Sequence, residues 1–558
     1  MRTIKQVLKD SAAERPDATV VRHKVNGQWV EVSYRQLLMR AAQVSQILAD
    51  AGIRPGDRVA LYRENSADWI ETYFGIISIG AVAVPIDAKL QGQEVAHILT
   101  DSQARVLFSS VEFYRVIERL MGHQHHIEAI VLRDASRMQP PPPPHLGIVD
   151  YEELMAGASE KVDAPDSAFG RIDPEEESIA SLIYTSGTTG RPKGAMLTHR
   201  NFVSNAEAAM QCVNVQRTDN FLLVLPLHHA FAFTANLLLP VAAGAEISLI
   251  ESLRTMGENM AETKPTVLIA VPLLLEKLDA RIQAAIDKSK VGGLLVKMGL
   301  GKIIAGKIIA KLGGRIRLIV SGAAPCDPDL LRRWNKMGLT VREGYGLTET
   351  APVLTINTLE RNKPGTVGIA MPGIELTIVD PNEQGIGEVA ARGDNVMFGY
   401  FNNKEATDEI FRDGALLTGD LGFIDDEGFL TITGRKKNLI VNREGKNIYP
   451  EEVESYINKS PYILESVVLG YRDPLDKAGE RVGVIAVPDQ DAISLHKGKL
   501  TDDQVEQLVR SEIKRMVKDI SEYKRPRKIQ VQFEELEKTS TAKIKRYRYA
   551  IDTRQMDA

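Results

Sequence analysis

The stretch YTSGTTGRPKG, Tyr184 to Gly194, holds four Ser/Thr hydroxyls and three glycines in eleven residues. Glycines at 187, 190 and 194 let a backbone take positive φ and approach a ligand closely, and the N–H groups so exposed form a concavity for an anion. Phosphate is the natural guest. The nucleoside-triphosphatase loop GxxxxGK[ST] does not match, because Lys193 follows Gly187 by six residues with Pro192 before it and Gly194 after it. An apolar run, IASLIY from Ile179 to Tyr184, leads into the hydroxyls as a buried parallel strand would. The cradle then lies beyond the carboxyl end of a strand, where α/β proteins bind ligands. A Ser/Thr-rich turn can also form with no ligand, so other segments must decide between the two.

The elements that position this stretch are legible as short apolar runs. RVALY near Val59, AVAVPID near Val82, RVLFSS near Val106, FLLVLPL near Leu223, TVLIAVP near Leu268 and RIRLIVSG near Leu318 are separated by helix-length segments. That alternation is the mark of buried strands in βα units. The expected fold is α/β: a large N-terminal domain, residues 1–434, with parallel-rich sheets flanked by helices. From TGRKKNLIVNREGKNIYPEEVE (Thr433 to Glu454) onward the pattern changes to two alternating strands, SVVLGY and RVGVIAVP, among charged helices. This reads as a small mobile α+β domain, residues 435–558, with its hinge near Arg435 to Lys437. Pro140 to Pro144 read as a surface loop.

The totals fit that division. A chain of 558 residues, 44% hydrophobic and 26% charged, is too long for one core and ordinary for a soluble globular protein. A net charge of −5 with mixed signs gives no reason to expect nucleic acid. Two cysteines, Cys212 and Cys326, supply neither a disulfide framework nor the spacing of a structural zinc site. The charged start MRTIKQVLKD lacks an apolar signal region, and no window reaches 18 apolar residues, so a cytoplasmic protein is expected. The HQHH cluster, His123 to His126, reads as solvated or structural, since no second Cys/His cluster supports it.

Five further segments follow in order: LPLHHAFAF (Leu225 to Phe233), SGAAP (Ser321 to Pro325), GYGLTET (Gly344 to Thr350), TGD (Thr418 to Asp420) and TSTAKIKR (Thr539 to Arg546). Together with YTSGTTGRPKG and the hinge segment, they resemble the adenylate-forming superfamily of acyl-CoA synthetases, peptide-synthetase adenylation domains and firefly luciferase. The resemblance spans nearly the whole chain.

What the resemblance implies can be stated residue by residue. ATP or AMP is held by Thr185, Ser186, Gly187, Thr188, Thr189, Gly190 and Lys193, by Gly322 and Ala323, and by Gly344, Tyr345, Gly346 and Thr348, with Tyr345 against the adenine. Asp420 accepts from the ribose hydroxyls, as a carboxylate with two acceptor oxygens can, and Arg435 joins it. Thr185 and Glu349 are the matching Mg²⁺ positions, a donor pair suited to a hard ion that keeps several waters. Lys543 is the mobile catalytic cation, although Ala542 and Glu537 depart from the glycine and proline common around it. His229 lines the acyl site in a positioning role. Phe231 and Phe233 suit either the wall of an apolar channel or core packing. Lys437 is the pivot about which the small domain rotates between half-reactions. Gly445 lies beside the pantetheine arm, where a Cβ would obstruct.

The implied reaction is attack of a carboxylate on ATP to give acyl-AMP and pyrophosphate, then thioester formation with CoA. KKNLIVNREGKNIYPEE and GYGLTETAPV most resemble the long-chain fatty acyl-CoA synthetase branch, so the expected acid is a medium- to long-chain fatty acid. Two other readings stand beside it: transfer to the phosphopantetheine of a carrier protein, and a nucleotide-binding scaffold without chemistry. The expected partners are fatty acid, ATP, Mg²⁺ and CoA; a homodimer is compatible with the reading. From Val291 to Leu312 the lysine- and aliphatic-rich run allows peripheral contact at the inner membrane face, but its lysines do not share one helical face and its glycines weaken a helix.

Overall fold

The computed structural model describes residues 2–121, 125–139, 147–162, 166–185, 191–287, 306, 309–310, 312–473, 476–538 and 544–552. Residues His123, Pro140 to Pro144 and most of 291–312 lie outside these, as do Ser186 to Gly190 and Lys543. The chain divides into two compact units: residues 1–376 with 391–416, and residues 377–390 with 417–558.

In the larger unit all seven apolar runs named from the sequence are strands, distributed over two sheets. One sheet has nine strands in the order Ile369–Ala370, Val353–Ile356, Val341–Gly346, Leu318–Ser321, Val267–Ala270, Asn220–Leu223, Glu246–Leu249, Thr19–Val25, Gln28–Ser33. Its central pairs are parallel. The other has eight, in the order Gly399–Tyr400, Lys193–Thr198, Ile179–Thr185, Val82–Ile86, Arg58–Tyr62, Val106–Ser110, Ala129–Arg133, Ile148–Asp150.

The period of two fixes which face each residue takes. Phe221 and Leu223 enter the core shared by the two sheets, and Leu222 enters a separate cluster with Leu268 and Trp334. Likewise Val59 and Leu61 face the shared core, while Ala60 and Tyr62 face a third cluster. Every residue of the helix Ala67–Ser78 except Asp68 is buried, and Asp68 pairs with Arg63 and Arg133. It closes on the helix Tyr34–Asp50 at Gly75, where a Cβ would lie 2.4 Å from Val44 Cβ. A capping box starts the helix Tyr34–Asp50: Ser33 Oγ accepts from the Gln36 N–H, and the Ser33 N–H donates to Gln36 Oε1. No helix among the described residues is long and apolar enough to cross a membrane.

The smaller unit carries residues 417–424 of the strand Ala415–Ile424 and its antiparallel partner Leu430–Arg435, in a register that sets Asp420 opposite Arg435. Because that pair is one hairpin, residues 417–434 cluster with this unit rather than with the sheets before them. The two runs SVVLGY and RVGVIAVP form the antiparallel strands Ile463–Asp473 and Asp476–Pro488, with Lys528–Val531 parallel at one side. Helices Pro450–Ile457 and Asp502–Met516 supply Val453, Ile457, Val509 and Ile513 to one apolar cluster with these strands.

Candidate active site

Thr185 ends its strand opposite Lys193, so the two ends of the glycine-rich segment are fixed by one antiparallel register. One residue earlier the Tyr184 ring crosses Gly194: a Cβ there would lie 3.0 Å from Tyr184 Cζ. Gly194 is therefore required for a close approach and not for positive φ. Tyr184 is tied down by its hydroxyl, which donates to Asp101 Oδ2 at 2.6 Å, and His97 Nε2 lies 2.9 Å from the Pro192 carbonyl.

Glu349 is brought to the same strand by contacts the sequence did not reveal. The strand Gly399–Tyr400 pairs with Ala195 and Met196, and the Tyr400 hydroxyl donates to Glu349 Oε1 at 2.7 Å. Lys193 Nζ stands 5.3 Å from the centre of the same Tyr400 ring. Cation, phenol and carboxylate thus gather around one aromatic side chain. The Met397 N–H donates to the Glu349 carbonyl, Thr350 Oγ1 donates to the Pro352 carbonyl, and Asn395 Nδ2 donates to the Thr350 carbonyl. A hydroxyl at 185 and a carboxylate at 349, the latter with a second oxygen beyond the one that Tyr400 contacts, are oxygen donors that fit Mg²⁺.

Gly322 follows the strand Leu318–Ser321 and donates its N–H to Ala270. A Cβ on Gly322 would lie 2.8 Å from Phe231 Cζ, so Phe231 packs end-on against this backbone. Ala323 holds φ +69°, a conformation uncommon outside glycine that costs strain and concentrates at functional sites. Gly344, Tyr345 and Gly346 lie in the strand Val341–Gly346, Tyr345 opposite Thr355, and a Cβ at 346 would collide with the Pro352 carbonyl at 1.8 Å. Thr348 begins the single turn Thr348–Thr350 that carries Glu349.

Phe233 belongs to the core. It is 1% exposed, its ring 4.4 Å from Tyr73 and 4.8 Å from Phe202. His229 caps the short helix Ala230–Ala232 beside Phe231. Asn65 clamps the loop before it from both sides: its Nδ2 donates to the Leu225 carbonyl, and the Leu227 N–H donates to its Oδ1.

Glu343, just ahead of the GYGLTET segment, is buried, and its Oε1 accepts from the Cys326 N–H at 3.0 Å. Burial pushes its carboxyl up to about 7 from an ordinary 4.5. The folded protein therefore keeps a proton that the unfolded chain releases. The stability tied to it is complete below pH 4.5 and is lost as pH rises towards 7, about 3 kcal/mol in all. Glu343→Gln is expected to melt at or above the wild-type temperature at pH 8, with the advantage shrinking as pH falls to 4.5. Thermal melts across that range check it; an advantage constant with pH would refute the assignment.

In the smaller unit Asp420 is 3% exposed, with Oδ1 2.8 Å from Arg435 Nε. Its N–H donates to Thr418 Oγ1, and the preceding Gly419, at φ +70°, donates to Glu388 Oε1. Lys436 Nζ pairs with Glu388 Oε2 at 2.7 Å, and both Lys436 and Lys437 are exposed. Gly445 closes the turn Asn442–Lys446 at φ +74°, and a Cβ there would meet no protein atom within 4 Å. Within the protein it is φ, not crowding, that requires glycine at this position. Lys543 itself lies outside the described residues. Both flanks are fixed: Lys538 bridges Ile544, and Arg546 pairs with buried Glu454, whose carboxyl burial pushes up to about 7.

Residues 8–401 match the family model described as AMP-binding enzyme, and residues 452–543 match its C-terminal domain. A long-chain-fatty-acid–CoA ligase of Mycobacterium bovis is 33% identical over 490 residues, 82% of this chain and 78% of that one. A feruloyl-CoA synthase of Amycolatopsis is 30% identical over 484 residues, 85% and 86% of the two chains. Among solved structures, ATP-bound MatB from Rhodopseudomonas palustris superposes with a TM-score of 0.76 at 26% identity, covering 98% of this chain and 97% of that one.

Proposed function

Since the chain belongs to the AMP-binding enzyme family, we propose that it is an AMP-forming acid–thiol ligase for medium- to long-chain fatty acids. The acid's carboxylate attacks the α-phosphorus of ATP and the bond to the β-phosphate breaks, giving acyl-AMP and pyrophosphate. The thiol of CoA then attacks the acyl carbon, and AMP leaves. The observation that carries the reading is the Tyr400 constellation, which holds Lys193 5.3 Å from the ring centre and Glu349 at 2.7 Å from its hydroxyl, beside the strand end at Thr185.

Bringing one anion to another needs positive charge aimed at the phosphates, and Lys193 and Lys543 supply it in fixed or returning positions. Mg²⁺, held by Thr185 and Glu349, neutralises phosphate charge when bound. Residues Ser186 to Gly190 offer backbone N–H groups to the phosphates, Asp420 with Arg435 orients the ribose, and Gly322, Ala323, Gly344 and Tyr345 frame the adenine. His229 and Phe231 position the acid, Lys437 is the pivot, and Gly445 borders the pantetheine path.

The test is a panel: purified enzyme, ATP and Mg²⁺ with saturated fatty acids of graded length and one hydroxycinnamic acid, read as pyrophosphate released and CoA consumed. Fatty acids are expected to give the higher kcat/KM, with CoA consumed one for one. Preference for the aromatic acid, or pyrophosphate without CoA consumption, would overturn the assignment of acid or acceptor respectively.

A further inference from the structure

Asp87, His228 and His229 bring three metal-ligating atoms to within 4.8 Å of one another, and no other such group occurs among the described residues. Asp87 is the first residue after the strand Val82–Ile86. Its Oδ1 accepts from the Lys89 N–H at 2.9 Å, which sets the rotation of the carboxylate and turns Oδ2 to 3.5 Å from His228 Nε2. His228 Nε2 in turn lies 3.1 Å from His229 Nε2. Successive side chains in an extended segment point apart. Here the His229 N–H donates to the Pro226 carbonyl, and the turn folds both imidazoles to one side, ring centres 4.1 Å apart. The Asn65 clamp on residues 225 and 227 holds that turn from outside.

Two of the three donor separations suit a tetrahedron: bonds of about 2.0–2.1 Å from Zn²⁺ to nitrogen or oxygen imply edges of about 3.3–3.4 Å, and 3.1 and 3.5 Å lie on either side of that, while the third separation is within 4.8 Å. Two imidazoles and one carboxylate with a fourth position open is the donor set of zinc sites that keep an exchangeable ligand. Mg²⁺ prefers six oxygens, so the nitrogens select against it. Asp87 and His228 are each 8% exposed, which removes competing water, and the backbone N–H on Asp87 is the outer support that ligating carboxylates require.

We propose that Asp87 Oδ2, His228 Nε2 and His229 Nε2 bind one Zn²⁺-class ion. The inference shares His229 with the proposed acid site, but its test is separate from the ligase reading, because binding is measured without ATP or acid. Full-length, tag-free protein is stripped with a chelator and titrated with Co²⁺ as a spectroscopic substitute for Zn²⁺. The visible absorption of four-coordinate Co²⁺ should saturate at one equivalent, be displaced by Zn²⁺ and persist in excess Mg²⁺. Asp87→Asn, His228→Asn and His229→Asn should each weaken Co²⁺ binding at least about tenfold, and His496→Asn, at an exposed surface position, should not. Absence of the Co²⁺ spectrum, or its survival in all three ligand variants, would overturn the site. Should the variants unfold, wild-type crystals soaked in Zn²⁺ decide: an anomalous peak between the three side chains supports it, and a peak only elsewhere refutes it.

Discussion

Lys543→Ala is expected to slow acid-dependent pyrophosphate release about 10²–10³-fold, the scale on which one aimed charge stabilises a transition state, while ATP binding by equilibrium titration stays near wild type. The separation follows from geometry on either side of the residue. Lys538 bridges Ile544, and Arg546 is fixed to Glu454 and to the Val468 carbonyl, so the variant alters a side chain on a segment whose ends remain held. Thioester formation from supplied acyl-AMP and CoA should be nearly unaffected, because that step is assigned no positive charge from 543. Unchanged pyrophosphate release would remove Lys543 from the mechanism, and loss of both half-reactions would mark it as structural.

The second large effect belongs to Glu349. Glu349→Gln removes the charge and should lower pyrophosphate release about 10²–10³-fold at fixed Mg²⁺. Tyr400→Phe keeps the carboxylate and deletes one hydrogen bond to it, worth about 1.5–3 kcal/mol. Its expected loss is about 10- to 100-fold, with more Mg²⁺ needed for half-maximal rate. Initial rates over a Mg²⁺ series measure both. A Glu349→Gln enzyme with the wild-type rate at every Mg²⁺ concentration would refute the ligand role.

What could be read from the chain and what could not divides along contact distance. Every apolar run from Arg58 to Leu318 is a strand, because burial on both faces writes itself into consecutive β-branched residues. Their distribution over two sheets has no local signature: Val59 and Phe221 face one core from different sheets, and nothing beside either residue says so. The site shows the same limit. Thr185, Lys193, Glu349 and Asp420 stand in recognisable segments, whereas Tyr400, Asn65 and Asp87 act through partners 51 to 162 residues away or across a loop, and their neighbours in sequence are unremarkable. Glycine misled in one place: Gly194 serves the Tyr184 ring and not a positive φ.

On the proposed assignment of Phe231 to the acid and Gly322 to the adenine, their end-on contact couples two kinds of recognition that a sequence lists separately. A methyl group at 322 has nowhere to go unless the ring at 231 retreats, so these positions share a single allotment of volume. If those assignments hold, enlarging the space for the acid by shrinking 231 loosens the backbone beside the nucleotide, and stiffening that backbone narrows the space for the acid. Drift in acid preference at this point therefore has to proceed by paired, mutually compensating replacements.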